Sequence, residues 1–98
     1  MSETQTEDKR VEDFQFEKDE DGRFIVPLDF PFSHGKTEYK EIRLRKPKTK
    51  DMRKFPAEPA MNDYLLMIGK LAALPHSVID EIDPKDTGKI TEFVAAFF

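Results

Sequence analysis

A small α+β domain, an antiparallel hairpin packed on about three C-terminal helices behind a disordered acidic tail, is what three features of this sequence predict. Apolar residues alternate with period two from Phe24 to Phe32 and again at Ile42 and Leu44. After Pro47 the period lengthens to that of helices, most plainly at Met61, Tyr64, Leu65, Ile68, Leu71 and Ala72. Residues 1–12 hold a single aliphatic side chain, Val11, among Glu, Thr, Gln and Asp, which is too little apolar surface to offset their ordering entropy.

The elements follow in order. Phe14 and Phe16 alternate with polar residues as a short strand would, and the Asp19-Glu20-Asp21-Gly22 stretch is a turn. In the next segment Phe24, Val26, Leu28, Phe30 and Phe32 project from one face. Pro27 and Pro31 sit on the other parity and donate nothing to a ladder, so this strand lies at an edge or breaks near Pro31. Gly35, free to take positive φ, turns the chain into a return strand over residues 37–46. Pro47 ends the sheet.

A short helical turn opens at Thr49 or Lys50 and is stopped by Pro56 and Pro59. The main helix spans about 60–74 and is apolar over more than half its circumference, so it is expected to be covered on two sides. Pro75 ends it and starts a short helix running to about Ile82. Asp83 as N-cap, Pro84 at N1 and Asp86 at N3 open the last helix, with Ile90, Phe93, Val94 and Phe97 on one face. The domain is therefore read as residues 13–98, hairpin region 13–47 and helical region 48–98.

Composition limits what the chain does. At 98 residues it is one domain with a modest core. It has no Cys, which removes disulfides, thiol catalysis and thiolate metal sites. The acidic N-terminus lacks the order of a signal peptide, and the longest apolar run, residues 64–68, is too short to span a bilayer. A cytoplasmic protein with no membrane contact is expected. Residues 83–94 resemble a calcium loop at Asp83, Gly88 and Ile90, but Lys85 and Val94 stand where ligands belong, and helix capping accounts for the acids. His34 and His76 each neighbour a serine without any nucleophile context, and the four glycines form no phosphate loop. No catalytic, cofactor or metal residue is assigned, and an enzyme is not expected.

Two surfaces remain. Residues 36–54 carry nine of the sixteen Lys and Arg against three acids, in a chain of net charge −4. A small nucleic-acid-binding regulator using this block is the alternative reading. It is disfavoured by acidic flanks, since residues 1–23 hold nine acids and four bases. The apolar excess of the main helix and of the Phe-rich C-terminus points to a hydrophobic partner groove or to self-association. The contact residues expected there are Tyr64, Leu65, Ile68, Leu71, Phe93, Phe97 and Phe98.

The order of pieces is itself informative. A Pro27-Leu28-Asp29-Phe30-Pro31-Phe32 strand leads through His34-Gly35-Lys36 to Ile42-Arg43-Leu44-Arg45-Lys46-Pro47-Lys48-Thr49-Lys50-Asp51, then to Ile68-Gly69-Lys70-Leu71 and a final helix ending in Phe. Over residues 23–98 this resembles the tail assembly chaperones of Mu-like and related tailed phages and prophages. In that family a Leu-Arg-x-Pro-Thr-x-x-Asp pattern corresponds here to Leu44, Arg45, Pro47, Thr49 and Asp51, with one residue more before Thr49 and one fewer after it. With Ile42, these positions are read as a structural hinge between sheet and helices. The resemblance implies a non-enzymatic assembly factor. It would bind the helical tape-measure protein, keep it soluble, help tail-tube subunits polymerise, and be absent from the mature virion. It also implies a longer product made by ribosomal frameshifting, for which Phe97-Phe98 suits a slippery run of T.

Overall fold

The computed structural model describes residues 11–98; the expectation of a disordered tail over residues 1–10 lies outside them. Within that span the fold is α+β, a three-stranded antiparallel sheet followed by helices. The strands are β1 (Glu17–Lys18), β2 (Phe24–His34) and β3 (Thr37–Leu44), in spatial order β1-β2-β3. The helices are α1 (Thr49–Met52), α2 (Met61–Ala72), α3 (His76–Ile79) and α4 (Pro84–Ala95).

The start of the chain departs from its sequence pattern. Val11–Phe14 forms a 3-10 turn, from which Val11 and Phe14 pack against the core. Nor is the short strand centred on Phe14 and Phe16; it is the next two residues, Glu17 and Lys18, that pair with Ile25 and Phe24. The aromatic residues are recruited to the core instead. Phe93 of α4 is fully buried and is met at steep ring angles by Phe14, Phe16, Phe24 and Phe97, with centroids 4.9–5.2 Å away. Edge-to-face packing places the positive ring edges on negative faces, so one side chain ties the N-terminal segment, the sheet and the C-terminus together. Lys18 adds its ammonium over the Phe24 ring.

The hairpin is regular at both ends and broken in the middle. Phe24 to Pro27 pair with Leu44 to Glu41, and Phe32 to His34 pair with Tyr39 to Thr37. Between them the residues Leu28 to Pro31 of β2 face the single Lys40 of β3. The two prolines cannot donate to the ladder, and the chain takes up that defect as a bulge. Alternation therefore holds only through Leu28. Phe24, Val26, Leu28, Ile42 and Leu44 are buried, whereas Phe30 is exposed and Phe32, stacked on Tyr39, is only partly buried at the margin of the core. No residue from 29 to 41 is buried, so the distal hairpin adds only partly covered side chains to the margin of the core. Gly35 turns it with φ +65°.

Three polar contacts fix the layers to one another. Asp86, buried in the first turn of α4, accepts the backbone N–H groups of Asp29 and Phe30 at 2.9 and 3.0 Å. It thereby satisfies the donors that the bulge releases. Lys89, one turn on, donates to the carbonyl of Pro27. At the other end of the sheet the Arg45 N–H donates to the Leu71 carbonyl of α2 at 3.1 Å. Asp83 caps α4 as its sequence suggests, accepting from the Lys85 N–H.

Helix α2 does not end at Pro75. Ala73 adopts the left-handed conformation, φ +57°, and its N–H and that of Leu74 return to the carbonyls of Lys70 and Gly69. This closes the helix C-terminus two residues earlier, and Pro75 becomes the N-cap of α3. Close approach at this corner explains Gly69. A Cβ there would lie 3.2 Å from the Leu74 carbonyl oxygen.

Candidate partner-binding face

The structure separates the expected contact residues into three groups. Ile68, Leu71 and Phe93 are buried to within 2 % or less of full occlusion and form the centre of the core, so they offer nothing to a partner of the folded chain. The reason is geometric: the α2 stripe that contains Ile68 and Leu71 faces the sheet and α4. Leu65 and Phe97 are half-buried against that core. Tyr64 is half-buried in the same way, and Phe98 alone of the seven is exposed; the two flank Phe55.

Phe55 is the residue that sequence reasoning missed. It lies in the Pro-rich connection between α1 and α2 and is held by a T-shaped contact with Tyr64 at 5.3 Å and a stacked one with Phe98 at 4.8 Å. Two shallow grooves meet at its ring. One, of about 340 Å³, is bounded by Met52, Tyr64, Ala95 and Phe98. The other, of about 490 Å³, runs along α2 past Leu66 and Met67 to Leu74 and His76. Met52, Leu66 and Phe98 are each more than 40 % exposed, and it is their gathering around the two grooves, more than the exposure of any one of them, that marks a candidate contact face. A Phe directly before the helix-stopping Pro56 was a readable signal, but only the turn of the chain brings it against Phe98.

The motif residues carry structure. Ile42 and Leu44 are buried under the helices. Pro47 follows the end of β3 in the link to α1. The Arg45 guanidinium donates to both oxygens of Asp51, at 2.8 and 3.0 Å, and the Lys48 N–H donates to the same carboxylate at 2.8 Å. Arg45 thereby holds the Asp51 carboxyl far below the usual carboxylate range. The expected hinge is thus a clamped corner joining the strand exit to α1.

The basic block is not one patch. Arg43 pairs with Glu41 and Asp19, Arg45 with Asp51, and Lys36 and Lys40 lie on the distal hairpin. Lys46, Lys48, Lys50, Arg53 and Lys54 surround α1, exposed and without an ion pair to another described residue. Among the described residues no group of three or more His, Asp or Glu is placed to hold a metal, and no helix is long and apolar enough to cross a membrane.

Residues 26–98 match the family model described as phage tail assembly chaperone proteins, E, or 41 or 14. No curated protein and no solved structure matches the chain.

Proposed function

The chain belongs to the phage tail assembly chaperone family, and from that premise we propose that it binds the tape-measure protein of a tailed phage and keeps it soluble while the tail tube assembles around it. The observation that carries this reading is the apolar face centred on Phe55, where Met52, Leu66 and Phe98, three of the five exposed large apolar side chains among the described residues, surround two adjoining grooves. A long helical partner with its own apolar stripes aggregates when left uncovered, and a small domain that lends it a complementary face suppresses that.

The activity is one of holding and releasing. It needs no covalent step, and the polar groups buried in this chain serve its architecture: Asp51 joins strand to helix and Asp86 satisfies the strand bulge. Such a factor acts in the cytoplasm of the infected or lysogenic cell and leaves the tail before the virion matures. Tail-tube subunits are a second partner in this reading.

Co-expression with the tape-measure protein encoded nearby tests it. The expected result is a tape-measure protein that moves from the insoluble to the soluble fraction and co-purifies with this chain. A tape-measure protein that stays insoluble and unbound would overturn the proposal.

A further inference from the structure

We infer that the groove along α2 docks a helix whose apolar stripe is flanked by acidic residues. The inference rests on the proposed chaperone role for the identity of the partner, and on the groove alone for its chemistry.

The secondary structure of the occupant follows from what lines the groove. Its apolar floor is made by Phe55, Leu66, Met67 and Leu74, which come from a helix and the loops at its two ends. No strand edge borders it, so the floor offers side chains and not a row of free backbone groups. A segment lying extended on such a floor would bury unpaired N–H and C=O groups, at a cost comparable to a lost hydrogen bond for each. A helix satisfies its own backbone and presents only side chains. The twelve residues of α2 provide a seat about 18 Å long, which matches about three turns of a partner helix.

The charge of the occupant follows from the rim. Two carboxylates border the groove, and only Asp51 has its charge matched by a cation within the domain. Asp51 is neutralised by Arg45, and Asp63 accepts the Ala60 N–H at the start of α2. Lys54 makes no ion pair with another described residue, and Lys70 reaches Asp51 only at 4.0 Å, a carboxylate that Arg45 already holds. Lys50 and Arg53 lie on α1 and its C-cap, outside the lining of the groove. A chain that is acidic overall thus presents an apolar groove whose rim sets Lys54 and Lys70 against the single unpaired carboxylate of Asp63, a net positive balance complementary to glutamates or aspartates flanking a partner's apolar stripe.

The test uses the full chain and two labelled amphipathic peptides of about 18 residues. They share one Leu and Ala stripe and carry either Glu or Lys on its flanks. The acidic peptide is expected to bind with a gain in helical circular dichroism, more weakly as salt is raised, and at least about tenfold more tightly than the basic one. Leu66→Glu, at an exposed position, is expected to keep the fold by circular dichroism and to lower that affinity at least about tenfold. Lys54→Glu should narrow the gap between the two peptides while leaving the stripe contribution in place.

Equal binding of both peptides would overturn the charge assignment, and binding without a gain in helix would overturn the helical one. A chain that solubilises the tape-measure protein yet ignores the acidic peptide overturns this inference and leaves the chaperone role standing. The converse result removes the tape-measure protein as partner and leaves the groove chemistry standing. If a DNA duplex displaces the peptide and binds unchanged to Leu66→Glu, the rim serves nucleic acid and the inference falls.

Discussion

Arg45 and Asp51 meet through two parallel hydrogen bonds, of 2.8 and 3.0 Å, across the corner where the sheet hands over to the helices. The fork of a guanidinium fits the two oxygens of a carboxylate, and Asp51 is almost wholly enclosed while Arg45 keeps part of its surface in water. Asp51→Asn leaves that guanidinium facing an amide with one acceptor. The expected loss is about 2 kcal/mol of unfolding free energy, below the full cost for a buried pair because Arg45 is partly solvated. Urea denaturation measures it, and Arg45→Lys should lose about half as much.

The same pair sets a pH dependence. Because Arg45 depresses the Asp51 carboxyl in the folded chain, the unfolded chain takes up the proton first as pH falls. The stabilisation is complete above about pH 5 and declines steadily below pH 4, through the unfolded carboxylate range toward the depressed folded value. Urea midpoints compared between pH 7 and pH 3 should therefore fall less for Asp51→Asn than for the native chain.

Two acids of the first turn of α4 have different roles, and substitution should separate them. Asp83→Ala removes a helix cap, an expected loss of about 1 kcal/mol with no effect on the strand. Asp86→Ala strips the Asp29 and Phe30 amides of their acceptor, with an expected loss of about 2 kcal/mol. The distinguishing readout is amide hydrogen exchange: the Phe30 N–H should exchange faster in Asp86→Ala alone.

Core and contact face should also part company. Phe93→Ala opens a cavity where four other rings converge, and about 3–5 kcal/mol of stability is expected to go with it. Leu66→Ala should stay within about 0.5 kcal/mol of the native chain. Its effect belongs in tape-measure solubilisation, so unchanged solubilisation with Leu66→Ala and Phe55→Ala together would argue against the Phe55 face as the contact.

Helix α2 offers a stabilising change. Ala73 takes the left-handed conformation that glycine adopts without steric cost. Ala73→Gly is expected to add about 0.5 kcal/mol and raise the melting temperature by a few degrees. A drop in melting temperature would mean that the greater freedom of glycine in the unfolded chain outweighs relief of that strain.

Much of this molecule is determined by its sequence alone. Period-two spacing from Phe24 to Leu28 and at Ile42 and Leu44 specifies a sheet with one buried face, because neighbouring strand residues must point to opposite sides. The 3.6-residue spacing of α2 and the Asp83-Pro84 start of α4 are equally local. So is the order of short motifs around Arg45 and Asp51, which marked the family. Tertiary structure alone decided what each apolar residue is for. Phe30 continues the strand pattern yet lies in water, since the prolines around it break the ladder. Ile68 and Leu71 look like a contact stripe yet are core, since the sheet and α4 cover them. Asp86 reads as a helix-start acid and instead completes a strand 57 residues away. Phe55, which in sequence is only an aromatic neighbour of the basic block, becomes the centre of the candidate face because folding stacks it on Phe98. Local spacing sets which side of an element is apolar; only the packing of the elements against one another decides which apolar sides are already covered.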